Sequence, residues 1–141
     1  TDAGALRARH VVLAVGRRGT PRRLGVPGED LPHVAYGLLD AAAYTDSHCV
    51  VVGGGDSAVE TALALAEQPG NQVTIVYRQD AFFRLRGKNH ERITAALAEG
   101  HVEALFSSEV ASIGAGFVDV QRHDAGARVQ LQLRADQVFV M

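Results

Sequence analysis

Cys49-Val50-Val51-Val52-Gly53-Gly54-Gly55-Asp56-Ser57-Ala58-Val59-Glu60 is the stretch on which the reading of this chain turns. Val50–Val52 is a short β-branched run, the composition of a parallel strand buried on both faces. It stops at Gly53-Gly54-Gly55. Beyond the glycines, Val59, Ala62, Leu63 and Ala66 recur at helical spacing and predict a helix to about Glu67. Gly53, Gly55 and Ala58 fill the pattern G-x-G-x-x-A where strand becomes helix. The first glycine permits a tight turn and the second lets backbone approach a pyrophosphate. The small third residue lets helix and strand pack closely. Phosphates then meet the free N–H groups and the positive end of the helix. Gly53, Gly54, Gly55, Asp56, Ser57 and Ala58 are therefore the expected phosphate-binding residues of a dinucleotide site. Ser57 and Glu60 also satisfy S-x-x-E, which predicts a capping box at the helix start.

The next strand bears on which dinucleotide is bound. Pro69-Gly70 breaks the helix, and Val73–Tyr77 reads as a strand. A site for NADH places Asp or Glu at the end of that strand, on the ribose 2′-hydroxyl. Here Tyr77-Arg78-Gln79 stands there, and Arg84, Arg86 and Lys88 follow. A planar guanidinium matches the oxygens of a 2′-phosphate in two places. Tyr77, Arg78 and Arg84 are the candidates on this side, and NADPH is favoured. NADH stays open, because Asp80 is close enough in sequence to serve a ribose hydroxyl. Phe82 and Phe83 flank either the adenine or the core, and the core is the commoner place for such a pair.

Composition narrows the function classes. The chain has 141 residues, 47% apolar and 21% charged, with a formal net charge of −2. That is one ordinary globular core. It gives no reason to expect nucleic acid or a membrane surface as partner. No apolar run is long enough to span a bilayer, and residues 1–20 lack a signal-peptide pattern. Cys49 is the one cysteine, so no internal disulfide forms and a cytoplasmic setting is expected. At the head of a buried strand it reads as a structural thiol. The six histidines are scattered, and no metal site is expected. A Tyr-Lys pair and a G-x-S-x-G nucleophile turn are both missing. No catalytic side chain is assigned.

Around the glycine loop the chain organises as follows. Val11–Val15 reads as a strand ending at Gly16. Residues 17–33 are rich in Arg, Gly and Pro and read as a linker. Leu38–Tyr44 reads as a short Ala-rich helix. A second long helix spans Asn89–Glu99 and ends at Gly100. Val102–Phe106 is a strand. Glu109–Ile113, Phe117–Gln121 and Val129–Leu133 are short alternating strands broken at Ala115-Gly116 and Ala125-Gly126, as in a β-meander. Val138–Val140 returns to the parallel sheet. The fold class is α/β, a doubly wound, Rossmann-like parallel sheet with a small antiparallel β layer. The chain opens without Met, and both ends carry strand-like segments, which reads as a piece of a longer α/β protein.

Several linked stretches resemble the thioredoxin-reductase-like family of FAD/NAD(P)-dependent pyridine nucleotide-disulfide oxidoreductases. They are Val12-Leu13-Ala14-Val15-Gly16, Gly25-Val26-Pro27-Gly28, Gly53–Ala58, and Tyr77-Arg78 with Phe83-Arg84. Their order and spacing cover most of the chain. The resemblance implies that residues 1–28 are the end strand and linker of a preceding flavin-binding domain, and 29–141 an NAD(P)H-binding domain. It implies that the glycine loop holds the NADPH pyrophosphate and that basic residues after the second strand hold the 2′-phosphate. The implied partner is the flavin-binding domain of the parent chain with its FAD, in a parent that is compatible with a homodimer.

Two departures matter. Val34–His48 contains no cysteine, so the redox C-x-x-C of thioredoxin reductases is missing. The chain looks closer to relatives without it, such as thioredoxin-reductase-like ferredoxin–NADP reductases and the bacillithiol-disulfide-reductase-like group. The family's Arg-Arg pair becomes Arg78-Gln79. The expected role is to present nicotinamide for hydride transfer to FAD, with the electron acceptor left open. The alternative is a non-catalytic dinucleotide-sensing or interaction module of a larger regulatory protein. Without a flavin-type glycine loop in these residues, the chain alone is expected to be colourless and inactive, with residues 1–28 loosely held.

Overall fold

A computed structural model of the protein describes residues 8–12 and 22–141. The apolar run Val50–Val52 lies at the middle of the sheet. Strand β1 is Val34–Ala35, β2 His48–Val52, β3 Gln72–Val76, β4 Val102–Leu105, β5 Ser108–Gly114, β6 Phe117–Asp124, β7 Ala127–Arg134 and β8 Gln137–Val140. Helix α1 is Asp56–Ala66 and α2 Gly87–Ala98. The parallel sheet has the order β1-β8-β2-β3-β4. Val51 pairs with Ile75 on one side and Phe139 on the other.

Successive side chains of β2 serve opposite cores. Cys49 and Val51 join Val59, Ala62, Leu65, Ile93 and Phe139 under the two helices. Val50 joins Val76, Val138 and the β5–β6 side chains Val110, Ile113, Val118 and Val120. This is why the strand reads as a continuous apolar run rather than an alternating one. Three layers result: helices, parallel sheet, and the antiparallel sheet β5-β6-β7. Among the described residues no helix is long and apolar enough to cross a membrane.

The fold class and the main elements agree with the sequence, and three details differ. The expected helix at Leu38–Tyr44 is only a 3₁₀ turn at Ala41–Ala43, started by the Asp40 carboxylate accepting from the Ala42 N–H at 3.0 Å. One turn fixes several dihedrals for few hydrogen bonds. Tyr44 instead places its ring edge-on to Phe139, with centroids 5.2 Å apart. Strand β1 was not expected. It is too short for periodicity to register and exists only through pairing Val34 with Val138 and Ala35 with Phe139. The capping box does not form: α1 starts at Asp56 with Gly55 as its extended cap and no side-chain cap bond. Ser57 thus lies inside the first turn, beyond the capping position. The strand expected at Val11–Val15 lies partly outside the described residues. Residues 8–12 have no regular structure, with Val11 and Val12 76% and 87% exposed.

The described part of the linker, residues 22–33, is irregular, as its Pro and Gly content dictates, yet it is packed. Leu24, Val26, Leu31, Val34 and Tyr36 lie against the core between the two sheets. At the opposite end of the sheet, Asp136 joins the β7–β8 turn to the start of β2. Its carboxylate accepts from the His48 backbone N–H at 2.8 Å and lies 3.2 Å from His48 Nδ1, while its own N–H donates to the His48 carbonyl at 2.8 Å. The His48 backbone bond, then the ring and Arg134, outweigh partial burial and hold this carboxyl below its ordinary value of 3.8. A carboxyl with a depressed folded pKa stabilises the protein above its unfolded pKa. That contribution is lost as pH falls through the folded value. Asp136→Asn is therefore expected to lose less stability than wild type on going from pH 7 to pH 3. Urea midpoints at the two pH values check this, and parallel losses in both proteins would refute it.

Candidate functional site

The glycine loop leaves β2 at the carboxyl ends of the parallel strands. In open α/β sheets ligands bind in the crevice at that end. Gly53 has φ +143°, a conformation that favours glycine. A Cβ there would lie 2.8 Å from the Met141 carbonyl oxygen and 3.2 Å from the Ala58 Cβ. The first and last positions of G-x-G-x-x-A thus pack on each other and on the end of β8, and both must be small. Gly55 differs. Its backbone is extended, φ −91° and ψ 179°, and a Cβ on it meets no protein atom within 4 Å. The fold does not require glycine at 55, whereas close approach of a ligand to the backbone does.

Gly54 is small for a third reason. A Cβ on it would stand 2.4 Å from ring atoms of Tyr77. The Tyr77 ring stacks on Phe82, centroids 5.9 Å apart, and Phe82 meets Phe106 edge-on at 5.0 Å. Tyr77 therefore backs the loop, and Phe82 backs Tyr77. Phe83 is 63% exposed, so the two phenylalanines divide between core and surface.

Asp56, at the first position of α1, is engaged by the second helix. Its carboxylate accepts from Asn89 Nδ2 at 2.8 Å and from the Arg86 backbone N–H at 3.1 Å. Asn89 also donates to Glu60 at 2.8 Å. These bonds, the Asn89 one first, hold the Asp56 carboxyl below its ordinary value. A carboxylate on the first turn also suits the helix dipole. The N-termini of α1 and α2 are thereby pinned together. Ser57 is exposed on the first turn.

Arg78, at the tip of β3, and Arg84, on the loop before α2, are both exposed. Among the described residues neither is in an ion pair. A cleft of about 390 Å³ lies between the ends of β2, β3 and β8 and brings Gly53, Gly54, Tyr77 and Arg78 together. That is within the usual range for small-molecule sites. Gly55, Asp56, Ser57 and Ala58, on the helix side of the loop, and Arg84 are not among its lining residues. Arg22 and Arg23, on the strap that linker residues 22–33 form, with Glu109 of β5, complete its charged wall. The sequence reading missed these three. The Arg22-Arg23 pair beside the Gly-x-Pro-Gly stretch was the available signal.

Cys49 is 1% exposed, and burial, then Asp136, pushes its thiol up to about 11. It stays protonated near neutrality and acts as a core side chain. Among the described residues no group of three or more His, Cys, Asp or Glu is placed to hold a metal ion.

The sequence pattern of the pyridine nucleotide-disulphide oxidoreductase family matches residues 1–140. The chain belongs to that family. A ferredoxin–NADP reductase of Ignicoccus hospitalis is 42% identical over 87% of this chain and 40% of its own length. Among solved structures, the bacillithiol disulfide reductase of Bacillus cereus superposes with a TM-score of 0.78 at 29% identity, over 86% of this chain and 36% of that one. A thioredoxin reductase of Streptococcus pyogenes does so with a TM-score of 0.71 at 32% identity, over 84% and 40%. This member of the family therefore spans about two fifths of the length of relatives that are themselves oxidoreductases.

Proposed function

We propose that this chain is the NADPH-binding part of a flavin-dependent oxidoreductase, and that it presents the nicotinamide for hydride transfer to FAD held elsewhere in the parent protein. The observation that carries this reading is the division of labour in the glycine loop. Gly53 and Ala58 are small because protein atoms crowd them, whereas no protein atom crowds Gly55 at the start of α1. In this reading Gly53–Ala58 receive the pyrophosphate on backbone N–H groups, and Tyr77, Arg78 and Arg84 serve the adenosine end. The nicotinamide supplies the hydride, and the residues of this chain bind and orient it. The family description, which names pyridine nucleotides, supports the assignment.

The relatives' names indicate two kinds of electron acceptor, ferredoxin and a bacillithiol disulfide. With Cys49 as its one cysteine, this segment offers no dithiol pair of its own to either. The proposed division keeps the flavin-side strand and linker in residues 1–28 and the NAD(P)H unit in 29–141. Leu24 and Val26 of the linker are already seated on the second unit's core.

Arg78→Ala tests the choice of cofactor. A hydrogen bond to a charged group contributes about 1.5–3 kcal/mol, so the variant is expected to bind NADPH roughly 10- to 150-fold more weakly. NADH affinity should hardly change. Calorimetric titration with both nucleotides decides it, and an equal loss for both would overturn the 2′-phosphate assignment.

A further inference from the structure

The strap that enters the domain forms one wall of the dinucleotide cleft, and a single buried carboxylate fastens it. Glu29 is 5% exposed. It accepts from the backbone N–H of Leu24 at 2.5 Å and of Gly25 at 2.8 Å, and from the Tyr36 hydroxyl. Leu24 and Val26 press into the core on either side of Gly25. Arg23 spends its charge locally: its Nε lies 3.6 Å from Glu29 and its Nη2 pairs with Asp30. Arg22 is exposed, lines the cleft, and has no carboxylate partner among the described residues. The cleft therefore carries two uncommitted guanidinium groups on separate elements, Arg22 on the strap and Arg78 at the tip of β3, against one acid, Glu109.

An arginine on a free chain loses binding energy to the ordering of that chain, whereas one on a fastened strap is pre-organised. Its fork suits phosphate oxygens wherever they lie on the ligand. We propose that Arg22 is a second phosphate-binding residue of this site, and that Glu29 is the positioning residue that holds it over the cleft. The proposal rests on the dinucleotide reading above.

Calorimetric titration of the 141-residue chain with NADPH and with NADH tests it. The proteins are wild type, Gly55→Val, Arg22→Ala, Glu29→Ala, Tyr36→Phe and the Arg22→Ala/Glu29→Ala double variant. Circular dichroism at the titration temperature confirms folding, and Tyr36→Phe loosens the clamp by one hydrogen bond if Glu29→Ala does not fold. Arg22→Ala should weaken NADPH about tenfold or more. Loss confined to NADPH assigns Arg22 to the 2′-phosphate, and loss with both nucleotides assigns it to the pyrophosphate. Loosening the clamp should weaken binding in wild type, while the double variant binds no worse than Arg22→Ala alone, because the two residues act as one unit. NADPH affinity within twofold of wild type in Arg22→Ala overturns the proposal. Additive losses overturn the role of Glu29. If Gly55→Val abolishes binding while Arg22→Ala does not weaken it, this inference fails and the dinucleotide reading stands. If Gly55→Val retains full affinity, or wild type binds neither nucleotide, the reading itself fails.

Discussion

Gly55→Val is expected to abolish binding of both NADPH and NADH while leaving the fold intact. The two halves of that expectation have separate physical grounds. Valine is at ease at φ −91°, ψ 179°, the extended region that β-branched residues favour. Its Cβ would meet no protein atom within 4 Å, so the branch point enters open space. The thermal midpoint and the circular dichroism spectrum should stay close to wild type. The same side chain would fill the space in which a pyrophosphate approaches the N-terminus of α1. Losing the backbone contacts removes the part of the site common to both nucleotides, so an affinity loss of more than about a hundredfold is expected for each. Gly53→Val makes an instructive contrast. It too would abolish binding, but by breaking the turn against the Met141 carbonyl and Ala58. Retained NADPH affinity in Gly55→Val would show that the loop is a turn and nothing more.

What could be read from the sequence follows from how locally each feature is determined. Val50–Val52 was legible because burial on both faces demands an unbroken apolar run. α1 and α2 were legible because each has one buried stripe at helical spacing. The meander was legible because glycine turns punctuate alternating strands. The glycine loop was legible because its pattern fills six consecutive positions, Gly53 to Ala58, although the atoms that keep Gly53 and Gly54 small include those of the distant Met141 and Tyr77. The failures involve partners distant in sequence. Ser57 and Glu60 have the spacing of a capping box, but Glu60 is taken by Asn89, brought in by α2. Val34–Ala35 becomes a strand only because β8 returns beside it. The Ala-rich turn at 41–43 has good helix formers but no length, and Tyr44 is drawn to Phe139 instead. Arg22 lines the cleft on a strap whose Leu24 and Gly25 N–H groups are held by Glu29, a contact that no periodicity announces.

The largest effect on stability is expected from Gly28→Ala, at the place where the strap touches the antiparallel sheet. Gly28 has φ +85°, where an L-residue costs about 1–2 kcal/mol. That strain is the smaller part. A Cβ on Gly28 would lie 1.7 Å from the Ile113 carbonyl oxygen and 2.7 Å from its carbonyl carbon. Both are backbone atoms of β5, and the Ile113 N–H donates to the Pro27 carbonyl at 2.8 Å, so neither side can yield alone. The strap must separate from β5, and the burial of Val26 and Leu31 is partly lost with it. Adding the loss of about one buried aliphatic side chain, about 1.5–3 kcal/mol, gives a total of about 2.5–5 kcal/mol. Gly25→Ala is the matched control: φ is +73°, but nothing lies within 4 Å of its Cβ, so only strain is expected. Urea denaturation with an unchanged m-value measures both. A Gly28→Ala loss no greater than that of Gly25→Ala would refute the strap–β5 contact. The same substitution joins stability to the site. Displacing the strap moves Arg22 from the cleft wall, so Gly28→Ala should also weaken NADPH at a temperature where the variant is still folded.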